Sequence, residues 1–182
     1  MKLAHLADPH LGRRAYTRLS SRGINQREAD AATAFRLAID GVVAAKPDAV
    51  VIAGDLFDAV RPSNHSIVFA FRQLQRLIDG LPGVPIVLIA GNHDHPRTTE
   101  SGSILALFED LGVQVATATE RAFIDETRSL HILAVPHAAL VGERPAMRPD
   151  PTKRYNVLVL HGEAQGILSV DAAALEHGGV QI

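Results

Sequence analysis

The sequence predicts an α/β fold with mostly parallel central strands, and three observations carry that expectation. Short apolar runs alternate with segments of helical period. The runs Leu3 to Ala7, Ala49 to Ala53, Pro85 to Ala90 and Tyr155 to Leu160 are rich in Val, Ile and Leu and almost unbroken by polar residues, as strands buried on both faces are. The segments between them carry helix start and stop signals. At 182 residues the chain fits one domain, long enough to bury roughly two thirds of its unfolded surface.

Taken in order, Leu3 to Ala7 is the first strand. A helix follows over Asn25 to Lys46, opened by Asn25 and Glu28 in capping-box spacing, striped by Phe35, Ile39, Val42 and Lys46, and stopped by Pro47. After the strand Ala49 to Ala53, a second helix runs from Ser63 to Asp79 with Pro62 before it, Gly80 after it, and Ile67, Phe71, Leu74 and Ile78 on one face. Beyond the strand Pro85 to Ala90, a third, shorter helix groups Ile104, Leu107, Phe108 and Leu111 ahead of Gly112. Val113 to Val115, Ala122 to Asp125 and Leu130 to Val135 then read as shorter strands between polar turns, a second sheet or an antiparallel edge. Gly142 to Lys153, rich in Pro and Arg, reads as a surface loop before the last strand, Tyr155 to Leu160.

Composition narrows the function. An apolar fraction of 47% with 21% charged residues describes a globular protein. No apolar run approaches the roughly 20 residues of a membrane span, and Asp8 cuts the N-terminal apolar stretch too short for a secretory signal. The expected location is the cytoplasm, with no membrane partner. The absence of cysteine excludes disulfides, thiolate metal sites and cysteine nucleophiles. A net charge of −2 gives no global attraction to nucleic acid, so any such surface is local. The segment holding Arg13, Arg14, Arg18, Arg22 and Arg27, offset only by Glu28 and Asp30, is the local candidate; on charge alone a solvated loop explains it as well.

The chemistry gathers at the carboxyl ends of the four core-type strands, where open α/β sheets collect functional groups. The first strand runs into Asp8-Pro9-His10, the second into Gly54-Asp55-Leu56-Phe57-Asp58, the third into Gly91-Asn92-His93-Asp94, and the last into His161-Gly162-Glu163. Taken singly, each is an ordinary strand-end turn. Four together, all offering carboxylate, amide or imidazole donors, point to a metal site, and mixed oxygen and nitrogen donors suit Mn²⁺, Fe²⁺ or Zn²⁺ better than Ca²⁺.

These residues carry a resemblance. The chain resembles calcineurin-like metallophosphoesterases, whose ordered motifs are Asp-x-His, Gly-Asp-x-x-Asp, Gly-Asn-His-Asp or Glu, a later His, and Gly-His-x-His. Within that superfamily Asp8 to Gly12, Gly54 to Asp58 and Arg61-Pro62-Ser63 look most like SbcD-type DNA repair exonucleases. The resemblance implies a sandwich of two mixed β-sheets flanked by helices. It implies two divalent ions, Mn²⁺ first and Fe²⁺, Zn²⁺ or Mg²⁺ as alternatives, with Asp8 and His10 on one, Asn92 and His161 on the other, and Asp55 bridging both. It further implies attack on phosphorus by a metal-held hydroxide, His93 serving the leaving oxygen, Asp94 orienting the His93 ring, and Arg13, Arg14 and Asp58 contacting substrate. DNA, an SbcC-type ATPase and a homodimer are the implied partners.

The Gly-His-x-His motif is absent, so residues 1–182 are expected to be the N-terminal part of the catalytic domain, with the chain stopping near a strand that would lead to that motif. A phosphodiesterase or phosphatase acting on small nucleotides would use the same core, and an inactive metal-binding module is the non-enzymatic reading. His5, His65, His95, His131, His137 and His177 fall off the motif positions and are expected to be structural; His95 and then His137 are the nearest to exceptions.

Overall fold

The computed structural model describes residues 1–21, 23–95, 102–141 and 145–162. Arg22, Glu163, His177 and the strand expected near the end of the chain lie outside them. The described elements run β1 (Leu3–Leu6), α1 (Gln26–Ala45), β2 (Ala49–Ala53), α2 (Asn64–Gly80), β3 (Ile86–Ile89), a 3-10 helix (Ile104–Leu111), β4 (Gln114–Ala116), β5 (Arg121–Asp125), β6 (Leu130–Val135), α3 (His137–Leu140) and β7 (Tyr155–Leu160).

β1 to β4 form one parallel sheet in that order, and β5, β6 and β7 form a second in which β5 is antiparallel and β7 parallel to β6. The sheets stack as a sandwich. Alternation along β2 explains its unbroken apolar run: Val50 and Ile52 face the helices, while Ala49, Val51 and Ala53 face the second sheet. On the helix side they join Phe35, Ile39 and Val42 of α1, Leu74 and Leu77 of α2, and Phe108, whose ring stacks on Phe57 at 6.3 Å. On the other side Leu130, Ile132, Ala134 and Val159 close the inter-sheet core. No helix among the described residues is long and apolar enough to cross a membrane.

Five local expectations need correction. Tyr155–Leu160 reads as a doubly buried central strand, yet among the described residues it is the edge of the second sheet, with Leu158 48% exposed. β1 is likewise an edge, half in solvent. An apolar run shows that a strand avoids water on one face; the layers around it decide the other. In α1, Asn25 caps the Arg27 N–H at 3.1 Å, but Glu28 turns away from the capping box to accept from Arg14 Nε at 2.8 Å. The buried face of α2 is Ser66, Ala70, Gln73, Leu74 and Leu77, rotated from the predicted stripe, because the Ser63 cap and the core behind β2 set the helix's rotation.

The third helix is the fifth case. It is 3-10 throughout, so its period is three rather than 3.6. Leu105, Phe108 and Leu111 therefore share the core face, and Leu107 is only half-buried. Leu105→Ala is expected to cost about 2–5 kcal/mol of stability and Leu107→Ala clearly less. Urea unfolding of the two variants side by side checks this; equal losses would restore the α-helical stripe.

Candidate metal centre

The parallel register fixes where the site forms. Leu6 lies opposite Ile52 and Ala53 opposite Ile89, so β1, β2 and β3 end level and release their loops at one edge. The loop after β1 is stitched to the loop after β2: Asp8 N–H donates to the Gly54 carbonyl (3.3 Å), His10 to Asp55 (2.9 Å), Leu11 to Leu56 (2.9 Å), and Asp58 returns to Leu11 (3.1 Å). Leu11, Leu56 and Phe57 are buried beneath as anchors. This bracing holds Asp8, His10 and Asp55 at φ of 54°, 44° and 50°, left-handed values that side-chain-bearing residues rarely adopt.

The loop after β3 is fastened by Asp94. Its carboxylate, 1% exposed, accepts from the backbone N–H groups of Leu56 and Phe57 (both 3.0 Å) and Gly91 (3.3 Å). Burial pushes its pKa up, against those three donors, and the nearby Asp55 carboxylate adds to the rise. Asp94 therefore does not orient the His93 ring. That ring places Nδ1 2.9 Å from the Asp58 carbonyl, and the Asp94 carboxylate is spent on the backbone. Gly91 has no room for a side chain, since a Cβ there would overlap Asp55 Oδ1 and lie 2.5 Å from the Asp55 nitrogen.

Asp55 is the centre of the arrangement. Oδ1 accepts from the His93 N–H at 2.9 Å, and Oδ2 stands 3.6 Å from His10 Nε2 and 3.6 Å from His161 Nε2. Side-chain ligand atoms of His10, Asp55 and His93 lie within 4.8 Å of one another, as do those of Asp8, Asp55 and His161. The two groups share Asp55. Asp8, 55% exposed at its side chain, also comes within 3.8 Å of His10 Nε2 and so borders both groups, where the sequence reading assigns it to His10 alone.

The imidazoles are set up as metal donors. His161 Nδ1 lies 2.9 Å from the Ala53 carbonyl, which can only accept, so Nδ1 carries the proton and Nε2 is bare in the neutral ring. Bare Nε2 faces Asn92 Oδ1 at 3.1 Å. Lone pairs of Asn92, Asp55 and His161 thus converge without a donor between them, an arrangement that a cation satisfies. His10 Nδ1 lies 3.3 Å from Asp58 Oδ1 without making a hydrogen bond to it. Asp58, read from sequence as a substrate contact, lies against His10, its N–H to Leu11 bond turning it back toward the first loop.

Other expected residues divide. Arg13 is exposed, and Arg14 is tied through Nε to Glu28, itself 5% exposed. Between these and Arg18, Tyr16 projects 87% exposed at φ 61°, its carbonyl held by Asn25 Nδ2 at 2.9 Å. Sequence reasoning passed over Tyr16, although an aromatic among arginines was visible. His137 and His95, expected to be structural, both border the site. The His137 ring meets His161 edge-on at 6.4 Å, and the His137 backbone N–H donates to the Ala90 carbonyl at 3.0 Å. Burial lowers its pKa, and the adjacent His161 lowers it further. Only the fold brings β6, and with it His137, beside β3 and β7.

Asp94→Ala leaves three buried N–H groups without their acceptor and is expected to cost about 3 kcal/mol or more in stability. Asp94→Asn should recover little, since its amide turns donors toward donors. Chemical denaturation measures both; an unchanged midpoint in Asp94→Ala would remove the fastening role.

A sequence profile of the Calcineurin-like phosphoesterase family matches residues 1–174. The chain is similar to the DNA double-strand break repair protein Mre11 of Saccharolobus solfataricus, 26% identical over 181 residues that cover 95% of this chain and 44% of that protein. It is similar to the protein of the same description in Methanopyrus kandleri, at 30% identity over 97% of this chain and 41% of the relative. A shorter match, 34% identical over 60% of this chain and 28% of the relative, joins it to that of Methanocaldococcus jannaschii. The chain spans less than half the length of these relatives. With the profile covering nearly all of a two-sheet sandwich whose strand-end loops converge on Asp55, the chain belongs to the calcineurin-like phosphoesterase family.

Proposed function

We propose that these loops form a two-metal site for phosphodiester hydrolysis and that the substrate is DNA in the course of repair. The observation that carries the reading is Asp55 Oδ2 standing 3.6 Å from both His10 Nε2 and His161 Nε2. A single carboxylate so shared suits two cations roughly 3.5–4 Å apart. In this reading Asp8 and His10 hold one ion, Asn92 and His161 the other, and Asp55 bridges. Mn²⁺ is our assignment, with Fe²⁺, Zn²⁺ or Mg²⁺ as the ions to test against it.

When bound, such ions lower the pKa of a coordinated water and neutralise charge on phosphoryl oxygens. The chain's own residues do the rest. The Ala53 carbonyl orients His161, and the Asp58 carboxylate, 3.3 Å from His10 Nδ1, is the group placed to orient His10 once that ring holds an ion. Asp94 holds the His93 loop against the Asp55 loop. As the water oxygen bonds to phosphorus and the ester P–O bond breaks, the departing oxygen needs a proton. His93 supplies it from Nε2 as the imidazolium and is left neutral, keeping the Nδ1 proton that faces the Asp58 carbonyl.

Support for DNA comes from the relatives, named for double-strand break repair, and from the arginine segment beside His10. Arg13 and Arg14 would contact phosphates, and exposed Tyr16 offers a face for an unpaired base. An SbcC-type ATPase is the partner that the resemblance adds. Cleavage of single- and double-stranded DNA, compared with cyclic nucleotides and bis-p-nitrophenyl phosphate, tests substrate class; turnover confined to cyclic nucleotides would overturn the DNA assignment.

Two variants test the roles. His93→Ala is expected to bind Mn²⁺ by calorimetry and lose about 10²–10⁴-fold in turnover; full activity would sink the proton-donor role. Asp58→Ala should weaken Mn²⁺ binding roughly 10–100-fold, the usual effect of losing a group that orients a metal-binding histidine.

A further inference from the structure

Glu28 is a carboxylate in an uncommon position. It is 5% exposed, and glutamates are almost never so buried unless paired. It sits in the first turn of α1, three residues after the Asn25 cap, where the spacing offers the Asn25 backbone N–H as a local partner. Instead its Oε2 accepts from Arg14 Nε at 2.8 Å, across 14 residues of chain. The arginine is 68% exposed at its side chain, and among the described contacts its two Nη groups make none. An ion pair with one partner so exposed adds little to stability. What the contact does is fix a direction.

The backbone beneath Arg14 is held on both sides. Gly12 lies so close to α2 that a Cβ there would be 2.8 Å from Ser66 Oγ, and the Arg13 N–H donates to the His10 carbonyl at 3.1 Å. On the far side Asn25 Oδ1 accepts from the Ala15 N–H at 3.4 Å, and Asn25 Nδ2 donates to the Tyr16 carbonyl at 2.9 Å. With the backbone pinned and the Nε edge taken by Glu28, the Nη edge of the guanidinium is the one left toward solvent. A guanidinium carries its N–H groups in a rigid plane, so fixing one edge fixes the other. The rotamer freedom that an untethered arginine gives up on meeting a phosphate is thus lost in advance.

We propose that Glu28 is a positioning residue for substrate: it holds Arg14 by Nε so that the Nη pair is preset to grip a backbone phosphate. In the reading on which this inference rests, DNA is the substrate and Arg14 a phosphate contact. An acidic residue thereby supports the binding of an anion. The expected sign is opposite to that of charge alone: removing the carboxylate weakens DNA binding, although the protein becomes less negative.

Fluorescence anisotropy with a labelled single-stranded oligonucleotide, without added metal and over a series of salt concentrations, tests this. Arg14→Ala is expected to lower affinity about tenfold, as losing a hydrogen bond to a charged group does. It should also reduce the slope of log affinity against log salt by about 0.7, the value of one phosphate contact on a single strand. Glu28→Met should do most of the same, and adding it to Arg14→Ala should cost nothing further. Glu28→Gln keeps an acceptor oxygen for Nε without the charge and should stay within about threefold of the wild type. If Glu28→Met does not fold, Arg14→Lys takes its place: the charge is intact, but a single ammonium cannot serve Glu28 and a phosphate as a fork does, so binding should fall to that of Arg14→Ala. Wild-type or tighter binding in Glu28→Met or Arg14→Lys, or equal behaviour of Glu28→Met and Glu28→Gln, would overturn the positioning role and leave DNA as the substrate. A wild type that binds the oligonucleotide without salt dependence, or not at all, would instead overturn DNA as the substrate and the positioning role with it.

Discussion

The site depends on a buried carboxylate that touches no described cation. Asp94 collects three backbone N–H groups, two from the loop after β2 and one from its own loop after β3, and so makes one rigid body of two segments 37 and 38 residues apart in sequence. Asp55 and His93 are carried on those segments, and the His93 N–H to Asp55 bond closes the ring between them. Burial is what makes the tie strong: few water molecules compete for the N–H groups, and losing the acceptor would strand all three. The same burial raises the carboxyl's pKa, against the lowering effect of the three N–H donors.

A second constraint follows from the first. With the Asp94 tie in place, the loop after β1 docks on a fixed partner, and four backbone hydrogen bonds to and from residues 54–58 hold it in left-handed turns at Asp8 and His10. Such turns cost of order 1–3 kcal/mol each. They aim alternate residues in opposite directions, Leu11 into the core and His10 toward Asp55. Strain here is the cost of bringing carboxylate and imidazole atoms to within 4 Å of each other before any ion arrives.

Convergence of acceptors explains why the neighbouring glycines matter. A Cβ on Gly54 would enter the His161 ring, and one on Gly91 would enter the Asp55 carboxylate. Both positions face the point where lone pairs meet, and both leave that space to side chains that arrive from other strands. The second sheet contributes His161 and, through the β6–α3 turn, His137, so the cavity around Asp55 is formed by the stacking of the two sheets.

Much of this was legible in the residues themselves. Strand identity followed from apolar runs, α1 from its Asn25 cap and the Phe35, Ile39, Val42 stripe, and the candidate ligands from their place just after strands, because these are local signals that each segment carries whatever surrounds it. What packs against what is not local. The helix of Ile104–Leu111 tightened to 3-10, β7 moved to an edge, Asp94 gave its carboxylate to backbone N–H groups, Asp58 turned to His10, and His137 came to lie beside His161. Each of these outcomes was decided by a partner tens of residues away, whose distance and direction exist only after the sheets stack. Residue type and position after a strand mark which side chains can bind a metal; the stacking of the sheets sets which atom of each faces Asp55 and which polar group holds it there.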